Sequence, residues 1–167
     1  MTQVRPAVPE DAHDVASVQV RSWQWAYRGL IAQSYLDGLD PETYSGTYTF
    51  GRIGIGLPYT LVAVDASTIR GLATTGRCRD AELSNCGELM AIYVDPAHVG
   101  TGVGRALIAA ARERLRTVYP QAALWVLDGN ARARRFYERD GWGFDGTRRT
   151  RTYGGAPVQE LRYRRDL

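Results

Sequence analysis

Residues 88–104 read Glu88-Leu89-Met90-Ala91-Ile92-Tyr93-Val94, then Asp95-Pro96-Ala97-His98, then Val99-Gly100-Thr101-Gly102-Val103-Gly104. The first seven form a nearly unbroken apolar run, the pattern of a strand covered on both faces. Asp95-Pro96 ends it. The glycine turn then opens a helix reaching about Tyr119, with Val103, Leu107, Ala111, Leu115 and Val118 on one stripe. Arg105, Arg112, Glu113 and Arg116 occupy its other side, and Pro120 stops it. Ala122–Leu127 is a second buried strand, so this unit is β-α-β and predicts a right-handed crossover between parallel neighbours. Glycines in the turn allow positive φ and let a ligand approach the main chain. The free N–H groups and positive dipole end of the helix suit a phosphate.

A dinucleotide fold also uses such a turn, but places it after its first strand, with an acidic residue about 20 positions on. Here the turn follows at least four strand candidates, and Gln121 stands near that distance. A Walker-type loop requires Lys-Ser or Lys-Thr after its last glycine. Arg105-Ala106 stand there instead.

Working outward, Thr2–Pro6 predicts a short strand and Pro9–Tyr27 a helix with an inner face of Val15, Val18 and Ser22. Gly29 interrupts, and Ala32–Leu39 predicts a second, short helix. The glycines of Thr43–Pro58 (Gly46, Gly51, Gly54, Gly56) argue against a stable helix and predict a mobile loop. Tyr59–Val64 and Ile69–Arg77 are β-rich runs around the turn Asp65-Ala66-Ser67. Beyond the central unit, Asn130 and Gly141 cap a helix over Ala131–Asp140. Phe144–Arg151 and Val158–Arg164 are strand candidates around Gly154-Gly155. The order is β-αα-βββ-α-β-α-ββ, an α/β architecture with a mixed central sheet of six to seven strands and about four helices.

The 167 residues suit one domain, residues 1–167, without internal repeat or linker. Hydrophobic content of 44% and charged content of 23% are ordinary for a globular protein. No apolar run approaches the roughly 20 residues that span a bilayer, and the charged, proline-bearing N-terminus is unlike a signal peptide. The expectation is a cytoplasmic protein without a membrane partner. All 21 basic residues are arginine, which codon usage explains, and a net charge of +3 demands no nucleic-acid partner. The arginines of 148–151 and 162–165 sit on predicted strands with alternating faces, which also weighs against nucleic-acid binding. Cys78 and Cys86 can approach across a hairpin, but one pair is no disulfide framework and no metal site, so free thiols are expected.

Gly102 and Gly104, after the strand and Asp95-Pro96, resemble motif A of the GNAT superfamily, Gln/Arg-x-x-Gly-x-Gly/Ala. Val99 departs from it, standing where Gln or Arg is usual. A second stretch, Asn130-Ala131-Arg132-Ala133-Arg134-Arg135-Phe136-Tyr137 with Gly141-Trp142, is similar to the family's Asn-x-x-Ala-x-x-Phe-Tyr…Gly-Phe signature after the fifth strand. With the element order, the resemblance spans nearly the whole chain.

The resemblance implies an N-acetyltransferase that takes acetyl-CoA as donor, without a metal, and acts by direct attack of an amine in a ternary complex. It implies that coenzyme A lies where the fourth and fifth strands part. Backbone groups of Ile92 and Val94 would bind the pantetheine arm, and the amides of Val99, Gly100, Thr101, Gly102, Val103 and Gly104 the pyrophosphate, with Arg105 adding charge. Asn130, Ala133, Phe136 and Tyr137 complete the cofactor set, although Asn130 is equally explained as a helix cap and Phe136 and Tyr137 as core. The family uses this tyrosine to protonate the departing thiolate, a task a phenol can perform. Glu88 stands at the spacing of the base in some members, with Glu82 in reserve, and the amides of Ile92 and Tyr93 would hold the oxyanion. Trp23, Tyr27 and Arg28 would border the acceptor, whereas Trp25 points elsewhere on the helix. Asp37 and Asp40 read as solvated surface. The acceptor is a small-molecule or peptide amine. Monomer and homodimer both remain open, as does a non-catalytic acyl-CoA-binding module, which the retained Tyr137 and Asn130 argue against.

Overall fold

The computed structural model describes residues 1–52 and 57–167. Among these residues seven strands form one sheet: β1 (Gln3–Pro6), β2 (Tyr59–Asp65), β3 (Thr68–Arg77), β4 (Cys86–Val94), β5 (Gln121–Leu127), β6 (Gly143–Tyr153) and β7 (Ala156–Asp166). Their order is β1-β2-β3-β4-β5-β7-β6, and only β4 and β5 run parallel. The helices are α1 (Ala12–Ala26), α2 (Gln33–Asp37), α3 (Pro41–Ser45), α4 (Val103–Arg116) and α5 (Ala131–Arg139). The expected mixed sheet is therefore observed, with three helices rather than two between β1 and β2, and the β4-α4-β5 crossover supplies the parallel pair.

Two expectations are corrected. The stretch taken for a loop over Thr43–Pro58 begins inside α3, where the Asp40 carboxylate accepts from the Glu42 N–H at 3.1 Å and Pro41 occupies the first turn. That local cap nucleates a turn which glycine content alone does not reveal. Gly54 and Gly56 lie outside the described residues. Val118 is not on the inner stripe of α4; the helix ends at Arg116 and Val118 is exposed.

Helix α4 buries Val103, Leu107, Ile108, Ala111 and Leu115 against one sheet face. Full burial of a Leu107 or Ile108 side chain stabilises by about 1.5–3 kcal/mol. Gly71 lets this helix come close: a Cβ there would lie 2.8 Å from the Tyr93 carbonyl oxygen and 2.9 Å from Leu107. The opposite face is covered by α1 through Val15 and Val18, and by α2 through Leu36, packed with Ile31 and Leu127. Cys78 and Cys86 meet across the β3–β4 hairpin, the Cys78 N–H donating to the Cys86 carbonyl at 2.9 Å, and both thiols are free. Among the described residues no helix is long and apolar enough to cross a membrane.

Candidate active site

Parallel pairing of β4 with β5 covers only Cys86–Glu88 against Gln121–Ala123; beyond it the strands part. A cleft of about 650 Å³ opens there, walled by β4 from Leu89 to Val94 and by Trp125, Val126 and Leu127 of β5. The main chain of β4 is prepared for this. Asp95 N–H donates to the Arg70 carbonyl at 2.8 Å, so by strand alternation Tyr93 turns its main chain to β3, and Ile92 and Val94 turn theirs to the gap. The expected oxyanion role for the Tyr93 amide is therefore corrected: that amide is spent in the ladder. A bulge sits just before, where Thr74 pairs with Ala91 and Thr75 with Leu89, leaving Met90 as the extra residue.

The glycine turn forms one end of the cleft. Gly100 and Gly102 have φ of +82° and +95°. A Cβ on either would meet nothing within 4 Å, so these glycines serve the turn's handedness rather than a close approach. The first helical bond runs from Ala106 N–H to the Gly102 carbonyl at 3.0 Å. The amides of Val103, Gly104 and Arg105 precede it and lack intrahelical acceptors, a cradle that fits the pyrophosphate of coenzyme A. Arg105 lines the cleft, as do Arg132, Arg135 and Arg139 of α5. These three are spaced i, i+3 and i+7, so they share a helix face.

Asn130 caps α5, its Oδ1 accepting from the Ala133 N–H at 3.2 Å, and it also borders the cleft. Phe136 packs against Gly104, at 3.4 Å from a would-be Cβ, and edge-on to Tyr137 with centroids 5.5 Å apart. Tyr137 lines the cleft at 9% exposure, and its hydroxyl has no hydrogen-bond partner among the described residues. Burial, followed by the neighbouring Tyr93, pushes its pKa well above the usual phenol value. It stays protonated at neutral pH, as a proton donor must.

Of the expected set, Ile92, Tyr93, Val94, Val99, Gly100, Gly102, Gly104, Arg105, Asn130, Ala133, Phe136, Tyr137 and Tyr27 all meet at this cleft. Thr101 and Val103 side chains do not: Thr101 donates to the His98 carbonyl and Val103 is core. Glu88 does not reach the cleft either. It is 1% exposed, and both its oxygens accept from Arg79, one of them also from the Arg79 backbone N–H at 3.0 Å. Trp23 and Arg28 are off the wall, Trp23 packing edge-on against Tyr27 at 4.9 Å and Tyr153 at 5.7 Å. Trp25, read as pointing elsewhere, lines the cleft, with the Arg132 guanidinium 4.8 Å from its ring centroid. Trp125, Tyr153 and Glu160 also line it and were not singled out from the sequence. The spacing of Arg132, Arg135 and Arg139 was a readable signal; the β5–β7–β6 pairing that brings in Trp125, Glu160 and Tyr153 was not.

The family model described as Acetyltransferase (GNAT) family matches residues 18–144. A protein of Bacillus subtilis (strain 168) named uncharacterized N-acetyltransferase YuaI is 32% identical over 132 residues, covering 78% of this chain and 74% of that one. The fold is similar to PaiA N-acetyltransferase of Thermoplasma acidophilum, solved with coenzyme A, with a TM-score of 0.76 at 19% identity over 100% and 99% of the two chains. It is also similar to a GCN5-related N-acetyltransferase from Kribbella flavida, with a TM-score of 0.76 at 23% identity over 99% and 98%. The parted strands, the free amides of the turn and these matches together identify the chain as a member of the GNAT family, an N-acetyltransferase with acetyl-CoA as its donor.

Proposed function

We propose that the chain acetylates a primary amine of a small molecule or peptide by direct attack on the thioester, both substrates being bound together. The observation that carries this reading is the position of Tyr137: a buried, un-ionised phenol on the wall of the cleft where β4 and β5 part. Ile92 and Val94 offer main-chain groups to the pantetheine arm. The amides of Val103, Gly104 and Arg105 receive the pyrophosphate, with Arg105, Arg132, Arg135 and Arg139 supplying positive charge. The Ile92 amide stabilises the oxyanion as the amine adds to the carbonyl carbon. Tyr137 then gives its proton to the departing sulfur. Glu88, held by Arg79 away from the cleft, is a structural group in this scheme.

Calorimetric titration with acetyl-CoA, paired with thiol release over simple amines, polyamines, aminoglycosides and short peptides, tests the reading. Binding with release on one amine class supports it. Binding without release on any of them, or no binding, refutes it.

A further inference from the structure

Two carboxylates line the cleft, and they differ in what surrounds them. Asp140 lies just beyond α5, beside Arg139 of the cleft wall, and its Oδ2 accepts from Arg112 Nε at 2.8 Å and Trp142 Nε1 at 3.0 Å, with Arg165 Nη1 3.6 Å away. Glu160 lies on β7 with its side chain 8% exposed. Its Oε1 accepts from Arg149 Nε at 2.7 Å, while Oε2 has no hydrogen-bond partner among the described residues and is not sealed from the cleft. A carboxylate in a wall with one unpaired oxygen is an unfilled position for a hydrogen-bond donor.

The carboxylate is held firmly. The Arg149 guanidinium lies 4.0 Å from the Trp125 ring centroid, and Trp125 Nε1 donates to Asp80 Oδ2 at 3.1 Å. Glu160, Arg149, Trp125 and Asp80 thus form a chain that fixes the acid's orientation. Around it the cleft wall is aromatic: Tyr27 just beyond α1, Tyr93 from β4, Trp125 from β5 and Tyr153 from β6. Tyr27, Tyr93 and Tyr153 all pack edge-on against Trp23, with ring centroids 4.9, 6.2 and 5.7 Å away.

We propose that Glu160 is the acceptor-side acid–base residue of the transfer, and that the acceptor is a primary amine on an aromatic or extended apolar stem, entering as an ammonium ion. This rests on the acetyltransfer reading above and names its substrate class. One free oxygen and several π-faces suit a single cation with an apolar body. The ammonium gives one proton to Glu160 Oε2. The freed amine attacks the thioester carbonyl carbon, the C–N bond forms and the C–S bond breaks. The sulfur takes the Tyr137 proton, the amide nitrogen's surplus proton returns to Tyr137 through water, and the proton on Glu160 leaves to solvent. Besides the three phenols, the ionisable groups facing Glu160 are Arg149 and, at 4.0 Å, Arg151.

The test uses 2-phenylethylamine and hexylamine as acceptors, with glycine and aspartate as carboxylate-bearing comparators that lack the apolar stem. Wild type should favour the first two by about ten-fold or more in kcat/KM. Glu160→Gln should lower kcat about 100-fold or more. Calorimetric affinity for acetyl-CoA should be retained, and the kcat deficit should shrink as pH approaches the amine's own pKa. Retained kcat in Glu160→Gln, or a deficit indifferent to pH, overturns the role of Glu160 while leaving the acetyltransferase standing. Preference for the amino acids overturns the substrate class. Failure of wild type to bind acetyl-CoA instead sinks the reading on which both rest. If Glu160→Gln melts below the assay temperature, Arg149→Met decides: loss of its bond to Oε1 should move the acid limb of kcat/KM to higher pH, and an unmoved limb overturns the proposal.

Discussion

Replacing Tyr137 with phenylalanine removes one oxygen and leaves the ring, which packs edge-on to Phe136 at 5.5 Å and to Tyr163 at 6.5 Å. The hydroxyl makes no hydrogen bond within the described residues, so its loss orphans no protein group. Stability should therefore change by no more than about 0.5 kcal/mol, a shift of about 1–2 °C for a chain of this size. Turnover should respond quite differently. A positioned general acid contributes about 10²–10⁴-fold, which at about 1.36 kcal/mol per decade is about 2.7–5.4 kcal/mol of barrier. Because the interaction develops only as the sulfur departs, kcat should fall while the acetyl-CoA affinity holds. The assay is thiol release under saturating donor, alongside calorimetry and a melting curve. Phe136→Leu is the comparison, since Phe136 packs on the glycine turn and has no proton to give. A kcat for Tyr137→Phe within about three-fold of wild type, or an equal kcat loss in both variants, would refute the acid role.

Three further outcomes are expected. Gly102→Ala places a Cβ at φ +95° with open space around it, so its cost is conformational, about 1–2 kcal/mol, with weakened acetyl-CoA binding; an unchanged melting temperature would contradict the left-handed turn. Glu88→Gln should cost about 1–3 kcal/mol through its bonds to Arg79, with kcat retained below the melting temperature; a kcat collapse would return Glu88 to the mechanism. Stability should also fall at both ends of the pH scale. Arg5 holds the Asp11 carboxyl below 3.8, and at Asp95 and Asp145 burial is outweighed by bonds from Arg21 and Arg162. Their contribution is present above 3.8 and lost as pH falls through the lowered values. Burial raises Tyr27, Tyr48, Tyr93 and Tyr137, so their contribution holds below pH 10.0 and is lost as pH rises through the raised values. A melting temperature that climbs above pH 10 would contradict this sign.

What the sequence made legible was local. The stripe of α4 from Val103 to Leu115, the glycine turn and the Asn130 cap are each set by residues within a few turns of one another, and each is found where it was read, Val118 excepted. Glu88 was misleading because spacing fixes a position along β4 but not the partner of its side chain. That partner, Arg79, comes from beyond the end of β3. The bulge at Met90 adds to the difficulty by changing strand parity, so that Leu89 and Ile92, three apart, both pack toward α4. Trp25 was misplaced for a related reason: helical spacing separates it from Trp23 and Tyr27 but does not say which face meets the parted strands. Tyr153 and Glu160 depend on the β5–β7–β6 pairing, a relation among residues up to 45 apart in which no local pattern takes part.

This division also accounts for Val99. A departure from the family's Gln or Arg would be serious if the donor site depended on side chains. On the reading proposed above, the groups that receive the phosphates are amides of α4, fixed by Gly100 and Gly102 and by the short turn before them, where the Asp95 carboxylate accepts from the Ala97 N–H at 3.1 Å. Arg105, Arg132, Arg135 and Arg139 bring positive charge to the same wall from other positions. Main-chain recognition tolerates a changed side chain because it asks only that the backbone keep its course. The acceptor end proposed above has no such tolerance, being built from side chains of the α1 C-terminus, β4, β5, β6 and β7 whose meeting depends on the whole sheet. Donor recognition can therefore persist across relatives in which the acceptor has changed, and substitutions at Tyr27, Trp125, Tyr153 or Glu160 should alter which amine is used before they alter acetyl-CoA binding.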